Sequence, residues 1–206
     1  MLCTVPFTIA ILTVVLSYTW LLEPRLAGNF VSVPVAVVGA IGVLNAFRRR
    51  EWGLVPRALI PGLRAATLFT TPLVAVFLAA GAALGTVHDR GNVVAPFGGL
   101  FLWGASQQWI LQTVVLREAQ RASSRTMGAI VAALLFGALH LPNPFLSLVT
   151  LVGGLGWCAI YDRHPNIIPL ALSHATGTLA VLYAFDDRMT GGLSIGYSYL
   201  LLDVGR

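Results

Sequence analysis

Residues 104–121, GASQQWILQTVVLREAQR, contain three glutamines in a stretch that otherwise has the composition of a membrane helix. The three are Gln107, Gln108 and Gln112, and the last two are four residues apart. Residues at i and i+4 lie on one face of a helix. Polar side chains are costly in hydrocarbon unless they meet partners inside the bundle. The stretch therefore predicts a membrane helix whose amide face is directed at neighbouring helices.

The whole chain has the composition of an integral membrane protein. Of its 206 residues, 57% are hydrophobic and 10% are charged, and the mean hydropathy is +0.81, which is outside the range of soluble globular domains. A spanning helix needs about 20 apolar residues. Apolar runs long enough to span can be drawn at 5–22, 30–47, 65–86, 96–116, 126–141, 144–161 and 167–185, with a weaker eighth near 190–202.

These runs predict an all-α, polytopic membrane helical bundle of about seven to eight transmembrane helices. No internal repeat or long linker divides the chain, so residues 1–206 are expected to form a single membrane domain. Residues 1–95 would supply N-terminal helices of low polarity. Residues 96–185 would form the core that carries the site, because nearly all the polar side chains within the predicted spans lie there.

Every basic residue is an arginine, and the arginines follow a topological pattern. Alternate loops hold Arg48, Arg49, Arg50, Arg57 and Arg64, then Arg117, Arg121 and Arg125, then Arg163, whereas Arg25, Arg90 and Arg188 in the opposite loops lie beside carboxylates. The positive-inside rule then places the N-terminus and the Arg-rich loops in the cytoplasm, and the membrane is expected to be a prokaryotic inner or plasma membrane. We expect membrane lipid but no nucleic acid among the partners. Binding of nucleic acid or anionic lipid by Arg48–Arg50 is the minor alternative.

The distribution of charge leaves amides and imidazoles as the polar groups at membrane depth. All eight carboxylates fall in loops or at span ends. The main polar residues that remain are Gln107, Gln108, Gln112, His140, His174 and Thr178. Since Phe136 and His140, like His174 and Thr178, are four residues apart, three helices each present a polar residue with a companion one turn away. We expect this set to converge, aided by close helix approach at Gly153, Gly154 and Gly156.

The order of these motifs resembles the CPBP family, the CAAX-protease and bacteriocin-processing membrane proteins also called Abi proteins. That family carries Glu-Glu-x-x-x-Arg on one helix, Phe-x-x-x-His on the next and His-x-x-x-Asn on a later one. Residues 136–140, Phe-Gly-Ala-Leu-His, match the second motif. In the third, His174-Ala175-Thr176-Gly177-Thr178 has Thr178 where the family has asparagine.

The first motif departs most from the family pattern. Gln107, Gln108 and Gln112 stand where the family has its two glutamates and its arginine. An alternative alignment on Glu118 and Arg121 restores an acid, but it moves the motif to the helix end and leaves too little chain before His140. The glutamine register is therefore preferred.

The resemblance implies a mechanism in which a glutamate and a histidine activate water against a peptide bond, often near a prenylated cysteine. A carboxamide cannot accept the proton, although it can donate and accept hydrogen bonds. Losing the arginine together with the acids is chemically coherent, because an arginine without its carboxylate would be an unpaired buried charge. Histidine is then the only general base left at depth.

We predict that His140 acts as base or acid with His174 as its partner, and that Gln108 and Gln107 orient the reacting group. The residues predicted to bind substrate are Gln112, Thr178, Phe136, Trp109 and Cys158. A nucleophilic role for Cys158 is a minor alternative, because a buried cysteine usually serves packing. We expect no cofactor and no metal, since two imidazoles without a carboxylate or thiolate make a poor zinc site.

Three functions stay open at this point. The first is an enzyme that acts on a membrane-embedded substrate, either a lipidated peptide or an isoprenoid-like molecule. The second is a pseudoprotease that binds a peptide or lipid without turnover, as an accessory or immunity factor. The third is a structural or transport subunit with a protein partner, which rests only on the helix count.

Overall fold

The computed structural model describes residues 5–26, 30–89, 91 and 94–203, and within these ranges the regular elements are helical. Extended pairing in the described part is confined to an isolated bridge between Leu54 and Asn166. The helices are α1 (Pro6–Ser17), α2 (Ser32–Arg49), α3 (Leu59–Leu84), α4 (Val94–Ile110), α5 (Arg117–Ala122), α6 (Arg125–Ala138), α7 (Pro144–Arg163), α8 (Ile167–Ala184), α9 (Asp187–Thr190) and α10 (Gly196–Asp203). π-helical segments follow α1 (Tyr18–Leu22) and α4 (Leu111–Leu116), and 3₁₀ turns lie at Glu23–Arg25, Pro56–Ala58 and Gly191–Leu193. The all-α prediction is confirmed.

Five helical segments in the described ranges are long and apolar enough to cross a membrane, namely Pro6–Arg25, Ser32–Arg49, Pro56–Leu84, Pro144–Arg163 and Ile167–Ala184. The predicted count of seven to eight is not confirmed. Helix α6 is apolar but has only 14 residues, about 21 Å of helix against a hydrocarbon core of roughly 30 Å. The predicted eighth span is not a continuous helix, because Gly191, Gly192 and Gly196 have positive φ.

The Arg-rich loops meet at one end of the bundle. The Ile167 N–H donates to Gly53 O at 2.8 Å, Arg117 pairs with Glu51 at 2.7 Å, and Arg125 pairs with Asp162. These contacts join the three loops that the sequence grouped on one face, although Arg64 lies inside α3 rather than in a loop. Arg90 lies outside the described residues. Which side of the membrane this end faces stays a prediction.

Glu118 is a buried carboxylate that fixes the start of α1 at the same end. Its side chain is fully buried, and it accepts the backbone N–H of Thr8 at 2.8 Å and that of Phe7 at 3.4 Å. The first N–H groups of a helix lack partners within the helix and favour a nearby negative charge. Glu118 therefore stabilises helix α1 and does not belong to the cluster of glutamines and histidines.

Glycines allow the close approach of helices that the sequence predicted around α7. A Cβ on Gly154 would lie 3.2 Å from the Cα of Ala133 on α6, and one on Gly156 would overlap the ring of Phe69 on α3. Helices in membranes associate through such small residues because apolar lipid supplies little driving force of its own. Helix α7 is thus held between α6 and α3, beside the core of the bundle.

Candidate active site

A cavity of about 710 Å³ lies inside the bundle, bordered by residues of α1, α2, α3, α4, α6, α7 and α8. Its walls are predominantly apolar. The predicted site residues that line it are Gln107, Trp109, Phe136, His140, His174 and Thr178. Among the lining residues that the structure describes, Glu23 and the two histidines are the charged or readily titrated side chains, and none is an arginine.

Two glutamines and a histidine form a hydrogen-bonded chain behind the cavity wall. The Gln112 Nε2 donates to Gln108 Oε1 at 2.9 Å, and Gln108 Nε2 lies 3.2 Å from His174 Nδ1. Both glutamines are fully buried. Because the Gln108 amide nitrogen can only donate, His174 Nδ1 is the acceptor and the proton of a neutral ring is on Nε2. The chain therefore makes His174 Nε2 a hydrogen-bond donor.

His140 has the opposite arrangement of its ring nitrogens. It follows the end of α6 and is half-buried at the cavity. Its Nδ1 lies 2.7 Å from the carbonyl oxygen of Phe136, an acceptor, so Nδ1 carries the proton and Nε2 has a free lone pair. The Phe136 ring lies edge-on to both imidazoles, at 5.0 Å from His140 and 6.2 Å from His174 between centroids. One histidine is thus set to accept a proton and the other to donate a hydrogen bond.

Residues that the sequence did not single out hold the His174 ring in place. The indole of Trp157 stacks on the imidazole with a centroid distance of 4.7 Å and an interplanar angle of 11°. Trp157 Nε1 donates to Ser173 Oγ at 2.8 Å, and Ser173 is bonded in turn to the hydroxyl of Thr70. The sequence feature that could have indicated Trp157 is a glycine four residues before it. The indole packs over Gly153, where a Cβ would be too close to the ring.

The segment that contains these elements matches a known family. The family model described as type II CAAX prenyl endopeptidase Rce1-like covers residues 89–180. This core is similar to the CAAX-protease family. The match confirms the resemblance drawn from the motifs and extends from just before α4 into α8. No curated protein and no solved structure matches the chain.

A π-helical segment lies in the glutamine-bearing helix of the CAAX-protease-like core. All six residues of Leu111–Leu116 are buried, and the Thr113 carbonyl accepts the side-chain N–H of Asn45 from α2 at 3.1 Å. Asn45 therefore binds the glutamine helix. Wider π turns interrupt the regular helix ladder and occur often at functional sites. This one ties α2 to the helix that carries Gln108.

Some predicted residues support the cavity from outside its wall. Gln112 and Cys158 are fully buried and do not line the cavity. Among the described residues Gln112 Oε1 has no partner that meets hydrogen-bond geometry, and the Cys158 thiol, a weak donor, interacts with that side chain. They would therefore act on a substrate through Gln108 and His174 rather than by contact. Glu118, on which the alternative register is based, is bonded to α1 and does not line the cavity.

Proposed function

We propose that this CAAX-protease-like protein is an enzyme that acts on an apolar substrate within the membrane, with His140 and His174 as the reacting pair. The observation that carries the proposal is the complementary state of the two rings at one cavity. His140 Nε2 has a free lone pair because Nδ1 is bonded to Phe136 O. His174 Nε2 carries a proton because Nδ1 is bonded to Gln108. A base and a hydrogen-bond donor are both available without a carboxylate.

Hydrolysis of a carbonyl substrate can be written with these groups. The oxygen of a water molecule attacks the carbonyl carbon while His140 Nε2 takes a proton from that water. His174 Nε2–H donates a hydrogen bond to the oxyanion that forms, as a neutral imidazole can. The bond to the leaving group then breaks, and the protonated His140 returns its proton to that group. In this proposal Gln107, which also lines the cavity, orients the carbonyl.

The test is a product that depends on the gene. Lipids, small apolar metabolites and peptide termini are compared by mass spectrometry between a deletion strain and the same strain carrying the native gene. A compound that appears only with the native gene supports turnover and identifies the substrate class. Identical inventories in the two strains would count against an enzyme.

The lining of the cavity favours a substrate whose polar end is uncharged. An anionic group would meet Glu23 but no arginine among the described lining residues, and an uncompensated buried charge costs several kcal/mol. We expect an N-acetyl-S-prenyl-cysteine methyl ester to bind at least about tenfold more tightly than the N-acetyl free acid with the same chain, a difference of roughly 1.4 kcal/mol. Competition binding in lipid nanodiscs measures this. Equal or tighter binding of the acid would contradict it.

The second candidate is a pseudoprotease, which the glutamines at the glutamate positions favour. The variant Gln108→Glu separates the two. In an enzyme of the proposed kind, a carboxylate beside His174 Nδ1 favours the neutral tautomer with its proton on Nδ1, and in that tautomer Nε2 is an acceptor that no longer donates to the oxyanion. Loss of one such donor costs about 10²- to 10³-fold in turnover.

The readout is the native product together with cleaved peptide termini, in strains carrying the native gene, Gln108→Glu, or Gln120→Glu. Gln120 lies on α5, where its amide bonds Asp162 and the Arg125 carbonyl outside the cavity. Loss of product only with Gln108→Glu agrees with the enzyme. If the native protein forms no product and Gln108→Glu creates new termini, the protein is a binding scaffold.

A further inference from the structure

His140 does not lie on a helix, so its position depends on a turn. Helix α6 ends at Ala138 and α7 begins at Pro144. Within the turn, the His140 N–H donates to Gly137 O at 3.0 Å and the Asn143 N–H donates to His140 O at 3.1 Å. These bonds are local to the turn. They set its shape but do not anchor it to the rest of the bundle.

Asn143 supplies that anchor. It is fully buried, and its Oδ1 accepts the N–H of Leu146 at 3.0 Å, which caps α7. Its Nδ2 donates to the carbonyls of Thr190 at 2.8 Å and Ser194 at 3.1 Å. The Asn143 side chain therefore uses both of its N–H donors and one of the two lone pairs on Oδ1. These bonds join the turn to the start of α7 and to the segment that contains Thr190 and Ser194.

The segment that contains Thr190 and Ser194 approaches Asn143 closely. A Cβ on Gly191, which has positive φ, would lie 3.0 Å from Asn143 Nδ2 and closer still to the ring of Tyr199. A further bond, from the Gly196 N–H to Leu141 O at 3.0 Å, holds the turn from its other side. The segment 186–196 is therefore hydrogen-bonded to the turn at two residues, Asn143 and Leu141. Its Leu193 and Ile195 also line the cavity.

We propose that Asn143 is a positioning residue for His140. It does not line the cavity, so it acts by tying the turn to the segment 186–196 and thereby fixing where His140 Nε2 lies. Buried carbonyls without partners are costly, so the two bonds to Thr190 and Ser194 strongly favour a single turn geometry. A displacement of about 1 Å at a reacting group can lower a rate about 10²-fold. The catalytic consequence rests on the proposed function, whereas the anchoring of the turn does not.

The chain offers a matched control in Asn166. It caps α8 by accepting the Ile168 N–H at 3.0 Å and donates its Nδ2 to Val55 O at 3.1 Å, and it too is buried. It lies at the arginine end of the bundle, away from the cavity. Asn143→Asp and Asn166→Asp each keep the capping oxygen and remove the N–H donors. Asn143→Ser and Asn166→Ser do the same without adding a charge, since serine also caps helices.

The experiment measures the NMR signals of the imidazole carbons and nitrogens of histidine-labelled protein in nanodiscs. It also measures kcat and KM for the reaction that forms the native product. We expect both Asn143 variants to shift or split the His140 signals, to leave those of His174 in place, and to lower kcat about 10- to 100-fold with KM within about twofold. The Asn166 variants should leave the His140 and His174 signals and kcat unchanged.

Three results would overturn the proposal. The first is His140 signals that stay native in folded Asn143 variants. The second is an unchanged kcat despite altered His140 signals. The third is failure of both Asn143 variants to fold where both Asn166 variants fold, which would make Asn143 a folding residue. If the His140 signals change but the native protein forms no product, the anchoring holds and the proposed enzyme function fails.

Discussion

His140→Ala should lower turnover by about 10²- to 10⁴-fold in a protein that still folds, because it removes the imidazole nitrogen at the cavity that is set to accept a proton. His140 Nε2 is free since Nδ1 is bonded to Phe136 O, and His174 Nδ1 is already occupied by Gln108. The positions where the family has its glutamates hold Gln107 and Gln108, so no acid there can take over. The loss is expected in kcat rather than KM.

His88→Ala is the matched control for that measurement. His88 also has its Nδ1 bonded to a nearby backbone carbonyl, that of Thr86 at 2.9 Å, but it does not line the cavity. Turnover is followed in nanodiscs, with the melting temperature Tm of each variant as the check on folding. An equal loss of turnover in His88→Ala would indicate a general effect of removing a histidine. A folded His140→Ala protein with native kcat would falsify the proposed base.

Gly177→Leu should abolish ligand binding while leaving the fold intact. Gly177 lies on α8 one turn beyond His174 and lines the cavity. Among the described residues, no heavy atom lies within 4 Å of a Cβ built on it. A leucine side chain would extend into this open space without overlapping its neighbours at Cβ. We expect a loss of affinity of at least about 100-fold, close to 2.7 kcal/mol.

The control is Gly98→Leu on α4. In the described part of the chain, a Cβ there also meets nothing within 4 Å, but Gly98 is exposed and does not line the cavity. Both changes replace glycine by a better helix former, so both should raise Tm slightly or leave it unchanged. Binding of a radiolabelled N-acetyl-S-prenyl-cysteine methyl ester in nanodiscs measures the difference. If Gly177→Leu binds as well as Gly98→Leu, the ligand does not occupy this cavity.

Hydropathy predicted the class and most helices, and it was least accurate where the chain breaks a helix without changing composition. The run 190–202 is apolar enough to suggest a weak span, yet Gly191, Gly192 and Gly196 adopt positive φ. The helix that follows has only eight residues. Composition measures how readily a run enters lipid, whereas backbone conformation depends on contacts such as that of Gly196 with Leu141 O.

The candidate site could be predicted in part. Gln107, His140, His174 and Thr178 stood out because polar residues are rare in apolar runs, and the structure brings all four to one cavity. Their catalytic roles stay predictions. Trp157 and Asn143 were missed because each resembles an ordinary packing or capping residue in the sequence. Their importance comes from partners far along the chain, such as Thr190, which is 47 residues from Asn143.

The sequence by itself determined that this is a membrane protein of helices and that its deep polar groups are amides and imidazoles. These are local properties, read from runs of apolar residues and from spacings of four. Only the tertiary structure decided what each imidazole can do. Gln108 and His174 are 66 residues apart, and packing of α4 against α8 brings them together. Because that contact sets which nitrogen of His174 carries the proton, the division into an acceptor and a donor exists only in the folded protein.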